Sequence, residues 1–217
     1  MNTNFDKRAG IALIIFTILL VFTMVLHPVG GNIEYLIRIS GLIIIVHSIA
    51  ILSLPFGWMG FWGLTRKIGT ENAWSVLAFA FMSLGLVAIM ITAAANGLIL
   101  PVYLQHYKDA TPERLEAIKP VLRYSFAVNT AFDYVYTFAF CIAIACWSIA
   151  ILTTKKLSRV TGWLGIIVSI ATIIIFISGI ALNSLHGFRI FVSVLALWIL
   201  YVGVDLRSSI VNPQRES

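Results

Sequence analysis

Between Arg8 and Glu34 the chain carries no charged residue, and further uncharged runs cover 39–65, 72–107, 134–154, 160–188 and 190–204. Most of these runs exceed the roughly 18 apolar residues that mark a membrane-spanning helix. The last is the shortest, yet 188–204 still reaches across most of a hydrocarbon core at about 1.5 Å per residue. The alternating strands of a membrane β-barrel are absent. The pattern predicts an all-α fold: one polytopic transmembrane helical bundle, with spans near 9–27, 40–59, 74–98, 128–152, 162–183 and 187–205. The composition agrees, with 60% hydrophobic and only 11% charged residues, because a soluble domain needs more polar surface to cover its core.

The first run is too long for the apolar part of a signal peptide. His27-Pro28 follows it where a small-residue cleavage site would stand, so it is expected to be a permanent helix. The net charge of +6 reads as orientation and not as nucleic-acid binding. With the N-terminus inside, Lys7, Arg8, Arg66, Lys67, Lys155, Lys156, Arg159, Arg207 and Arg215 collect on one side. The other side dilutes its basic residues with Glu34, Asp109, Glu113 and Glu116. Basic residues near spans resist translocation, so both termini are expected in the cytoplasm. Trp58, Trp62, Trp74 and Trp163 flank the same ends, as interfacial aromatics do. Short loops without a soluble domain point to a prokaryotic plasma (inner) membrane.

Among the loops, 105–123 has helix signals of its own. Thr111 suits an N-cap, Pro112 the first turn, and Leu115, Ile118 and Leu122 recur at helical spacing. An amphipathic surface helix is expected over 111–120, ended or kinked by Pro120. It is either a linker or a lid. Ala93 and Gly97, Ala139 and Ala143, and Gly165 and Ser169 are small pairs four residues apart, which let helices approach closely in lipid. Cys141 and Cys146 share one predicted helix and read as packed thiols. No internal repeat is visible.

Depth along each span is the most informative property of the polar residues. A core about 30 Å thick takes about 20 helical residues. Counted from the cytoplasmic charges, His27, His47, Asn96, Asn129, Asp133, Asn183, His186 and Arg189 gather in one outer layer, while the inner half offers only Ser, Thr and Cys. Ionisable groups at depth face the bundle interior or a wet cavity, which suggests an outward-facing polar pocket. Interfacial contact with headgroups is the plainer alternative. His47 stands in an apolar stretch and needs a hydrogen-bond partner on another helix or a water. Ser125, Asn129, Asp133 and Tyr136 fall on one helix face, and Asp133 is a candidate to pair with Arg189 or a histidine. The expected ligand-binding residues are therefore His47, Asn96, Asn129, Asp133, Tyr136, Asn183, His186 and Arg189.

The histidines lie on separate segments, with neither HExxH nor a pair one turn apart, so no metal site is expected. Haem would need facing histidines at equal depth, and His47 and His186 differ by about two turns. The cofactor stays undetermined. Serine-nucleophile and nucleotide-binding motifs are absent. Three functions remain. The first is a binding or transport protein whose pocket takes a small molecule or lipid. The second is a membrane-embedded enzyme, a hydrolase or other acid–base or metal catalyst, using Asp133 and nearby histidines. The third is a non-catalytic subunit or scaffold working through its small-residue faces, alone or as an oligomer. The dry inner half argues against an open channel.

Overall fold

The computed structural model describes the backbone of residues 3–177 and 185–208. Its elements are α1 (Thr3–Leu26), α2 (Ile33–Arg38), α3 (Ser40–Ile68), α4 (Ala73–Ala94), a π-helical turn (Ala95–Ile99), α5 (Leu100–Gln105), α6 (Pro112–Ala117), α7 (Lys119–Thr154), α8 (Arg159–Ile177) and α9 (Leu185–Ser208). No strand occurs among the described residues, and the chain is an all-α helical bundle. Helices α1, α3, α7 and α9, and α4 together with the π turn and α5, are long and apolar enough to cross a membrane. Helix α8 is apolar but shorter over its described residues, and the end of the fifth expected span falls outside them.

Local chemistry sets the boundaries. Asn32 and Asn72 cap α2 and α4 by accepting from the backbone N–H groups of Tyr35 (2.9 Å) and Ser75 (3.2 Å), satisfying donors that have no partner within a helix. Gly69 ends α3 at φ 124°, and Lys155 ends α7 in the left-handed region at φ 57°. Proline behaves differently from expectation at Pro120. It stands in the first turn of α7, where its missing N–H costs nothing. The surface helix accordingly stops at Ala117, and a far longer helix starts at Lys119.

The long helices pack in chain order: α1 on α3, α3 on α4, α4 on α7, α7 on α8, α8 on α9, and α9 back on α1. This closes a ring. Closure is tightest where α1 crosses α9. A Cβ built on Gly10 would stand 2.6 Å from the carbonyl oxygen of Gly203, so only glycine permits this approach. The same contact brings the described chain ends, Thr3 and Ser208, to one end of the ring, here called the terminal end. Residues 27–39 and 106–118 lie at the other, distal end.

The terminal half is filled by aromatic rings. Phe61 stacks on Trp147 with centroids 5.2 Å apart, Trp147 on Trp198 at 6.4 Å, and Phe16 meets Phe61 edge-on at 6.1 Å. All four are buried. Their polar atoms are served: Trp147 Nε1 donates to Thr65 Oγ1 (3.2 Å) and Trp198 Nε1 to the Thr161 carbonyl (3.2 Å), as buried indoles require. Trp62, Trp74 and Trp163 are exposed, whereas Trp58 turns inward and donates to Ser83 Oγ on α4 at 3.1 Å. Two buried carboxylates sit at this end as well. Asp205 accepts from Ser158 N (2.9 Å) and Thr161 Oγ1 (2.6 Å), fastening the start of α8 to α9. Asp6 lies 3.9 Å from Lys67. The small pairs are spent inside the ring: Gly97 packs on His47, Gly165 on Ser148 and Trp198, and Ser169 Oγ bonds the Cys141 carbonyl at 3.3 Å. At these positions they hold this chain's own helices together. Large apolar side chains instead cover the outside, among them Val25, Leu52, Ile167 and Leu197, as for helices compatible with a multi-pass membrane protein.

Candidate functional site

Above the aromatic fill, in the distal half, the interior of the ring is not filled. A cavity of about 380 Å³ opens between α1, α3, α4, the π turn, α5, α7 and α9. Phe16, Phe140, Leu195 and Ile89 line it near the mid-length of their helices, and Val29, Gly30 and Phe126 line it at the distal mouth. Helices α2 and α5 flank the mouth. Leu36 and Leu104 line the cavity while packing in a second apolar cluster with Ile33, Ile37, Ile118 and Leu122. Gln105 holds the two together through its side-chain amide, bonding the Ile37 carbonyl at 3.0 Å and Ser40 Oγ. The predicted surface helix, now α6, has no buried residue and lines none of this cavity. The covering elements are α2 and α5.

One side of the cavity carries a directed chain of hydrogen bonds. Ser125 Oγ donates to Asn96 Oδ1 (2.5 Å), Asn96 Nδ2 to Asn129 Oδ1 (2.8 Å), and Asn129 Nδ2 to Asp133 Oδ2 (3.0 Å). Tyr136 OH donates to Asp133 Oδ1 at 3.1 Å from the other direction. Every donor in the series leads to the Asp133 carboxylate, whose oxygens can accept further hydrogen bonds. The stripe on α7 supplies four of the five members, as the three- and four-residue spacing requires. Asn96 enters from α4 because the π turn begins at Ala95. A π turn inserts one residue and re-aims the following side chains, a device common at functional sites.

The histidines form a second polar group. Their rings lie 5.2 Å apart, edge to face. His27 Nδ1 contacts the Pro28 carbonyl at 3.1 Å, and His47 Nδ1 the Ile43 carbonyl at 2.8 Å. A carbonyl only accepts, so Nδ1 carries the proton in each ring and Nε2 is the acceptor of the neutral form. His47 thus meets its need within its own helix, not across to another. Gly97 makes room for it: a Cβ at that position would collide with the imidazole. The π turn therefore presents Asn96 to α7 and accommodates His47 of α3 at adjacent residues.

Of the expected ligand-binding residues, His47, Asn96, Asn129, Asp133 and Tyr136 all line this one cavity. Arg189 does not. Its Nη2 donates to the His27 carbonyl at 3.0 Å, tying α9 to the distal end of α1, and its Nε is buried with no hydrogen-bond partner among the described residues. The suggested ion pair between Asp133 and Arg189 is not formed; the guanidinium is engaged by a backbone carbonyl instead. Asn183 and the side chain of His186 lie outside the described residues. Sequence reasoning missed the apolar wall of Phe16, Phe140, Phe188, Phe191 and Leu195, and it missed the contact between His27 and His47. Among the described residues no three His, Cys, Asp or Glu side chains come close enough to hold a metal ion.

The chemistry available is sharply divided. Most of the wall is apolar, aliphatic side chains joined by five phenylalanines, and the polar pole is rich in acceptors, with one carboxylate and two imidazoles. No known protein family, curated protein or solved structure matches the chain.

Proposed function

We propose that this chain is a multi-pass membrane protein that binds, and in a working cycle moves, a small molecule or lipid through its distal cavity, with both termini in the cytoplasm and the cavity opening to the other side. The observation that carries this reading is the cavity itself: about 380 Å³, with Val29 and Gly30 at its distal mouth and Phe16, Phe140 and Leu195 at its inner limit, Phe16 in turn meeting the stack of Phe61, Trp147 and Trp198. Its volume lies at the small end of the roughly 300–1,000 Å³ typical of ligand sites, and a mainly apolar wall with a few convergent polar groups is the usual make-up of such sites. A water-filled pore needs polar lining or a hydrophobic gate along its full length, and the aromatic stack supplies no polar lining in the terminal half. Catalysis by Asp133 has less support, because both of its oxygens already accept from Asn129 and Tyr136 and no nucleophile adjoins them in that network.

The test is one-sided access to the cavity. With Cys141 and Cys146 replaced by serine, Thr92→Cys places a single thiol on the cavity wall. A membrane-impermeant thiol reagent is expected to label it in sealed vesicles only from the side opposite the termini. Equal labelling from both sides would show a through-pore, and labelling from the terminal side alone would reverse the proposed orientation.

A further inference from the structure

The geometry points to a specific ligand class for this cavity: a single small amphiphile that presents a protonated amine with N–H donors to Asp133 and its apolar body to the phenylalanine wall. This inference rests on the binding reading above and narrows it.

The argument begins with charge. Asp133 is the one formally charged residue lining the cavity among the described residues. Its hydrogen-bond partners, Asn129 and Tyr136, are neutral, and no cationic side chain forms an ion pair with it there. Arg189, the cationic partner suggested from depth in the sequence, is turned to the His27 carbonyl. An ionised carboxylate at membrane depth is costly without a counter-charge, so a ligand that supplies one gains an interaction the empty site lacks.

Hydrogen-bond polarity narrows the class further. The Nδ1 contacts of His27 and His47 with carbonyls leave Nε2 of each neutral ring as an acceptor. The series from Ser125 to Asp133 spends the Ser125 and Tyr136 hydroxyl protons and one N–H of each asparagine amide internally, leaving one N–H on each amide against the carboxylate and the two imidazole lone pairs. What remains for a ligand is therefore chiefly acceptor capacity. A carboxylate or phosphate ligand would meet Asp133 and two lone pairs with little to receive it. A primary or secondary ammonium meets complementary groups and is also attracted to aromatic faces such as Phe140 and Phe188. The volume adds a size limit: about 380 Å³ takes one small amphiphile, whereas a two-chain lipid would have to leave much of itself outside.

The experiment compares four probes of equal chain length on the full chain in lipid nanodiscs: n-decylamine, n-decyltrimethylammonium, n-decanol and n-decanoate. Binding is read by calorimetry against empty nanodiscs, which removes partition into lipid. Decylamine is expected to bind saturably with one site and at least about tenfold more tightly than decanol or decanoate, the difference a charge-assisted hydrogen bond makes. Loss of the N–H donors in decyltrimethylammonium is expected to weaken binding relative to decylamine. Asp133→Asn should erase the preference for decylamine over decanol while leaving decanol binding in place. Tyr136→Phe, a milder change that keeps the carboxylate, should retain the preference. Decanol or decanoate binding as tightly as decylamine at one saturable site would overturn the amine assignment and leave the binding reading standing. No saturable binding by any of the four would overturn the assignment and count against the binding reading too.

Discussion

Trp147→Ala is expected to cost about 3–5 kcal/mol of stability, the range for emptying a large buried aromatic position, and so to shift the folded-to-unfolded ratio by more than about a hundredfold. Trp147 is fully buried, stacks between Phe61 and Trp198, and donates its indole N–H to Thr65 Oγ1. Removing it opens a void at the crossing of α7 with α3 and α9 and strands the Thr65 hydroxyl from one of its partners. Trp147→Phe separates the two contributions. It keeps one stacking ring while losing the hydrogen bond, worth about 1 kcal/mol, and the remaining indole volume, so its cost should fall between that figure and the Trp147→Ala loss. Thermal unfolding of the detergent-solubilised variants, followed by circular dichroism, measures both. Similar melting temperatures for Trp147→Ala and the unmodified chain would mean that the aromatic stack does not hold the terminal half together.

The second large effect lies in the cavity and leaves the fold intact. Ala50 on α3 lines the cavity and is only half-buried, so Ala50→Trp extends an indole into open space and not into packed side chains. Overpacking penalties of about 1–3 kcal/mol apply where a core is already full; here the melting temperature should change little. Ligand affinity should fall about a hundredfold or more, since the indole and the ligand's apolar body compete for the same volume and each tenfold corresponds to about 1.4 kcal/mol. Preserved melting with lost binding is the expected pair of results. Preserved binding in Ala50→Trp would place the ligand elsewhere on the molecule.

The parts of this architecture that periodicity governs were legible in the residues alone. Uncharged runs locate the long helices, and three- and four-residue spacing puts Ser125, Asn129, Asp133 and Tyr136 on one face of α7, where their hydrogen bonds form. Depth counting placed Asn96 near the same level. Whatever depends on how one helix rotates against another was not legible. His27 and His47 sit on separate helices, and their ring contact follows from the angle of α1 on α3 and from the absence of a Cβ at Gly97. Arg189 was expected to seek a carboxylate, but the nearby His27 carbonyl takes its guanidinium. Pro120 can equally end one helix or begin another, and only packing of Ile118 and Leu122 into the cluster with Ile33 and Leu104 settles that it begins α7. The inner half was expected to be merely dry. Its aromatic stack could not be seen because Phe61, Trp147 and Trp198 lie on three helices far apart in sequence. Asp205 directly follows the last uncharged run, and its role in fastening α8 depends on a neighbour 44 positions away.

These observations separate the two halves of the ring by task. The terminal half is packed, and its buried indoles Trp147 and Trp198 each have a hydrogen-bond acceptor. The distal half keeps His27, His47, Asn96, Asn129 and Asp133 only half-buried against an open volume, and the π turn that breaks the regularity of α4 is where Asn96 and the room for His47 meet.

Native mass spectrometry of the chain released from its own membrane, run beside Ala50→Trp, bears most directly on whether the distal cavity is a ligand site. A bound small molecule of one defined mass on the unmodified chain, missing from the variant, is the predicted result. The same adduct on both proteins, or on neither, would contradict it.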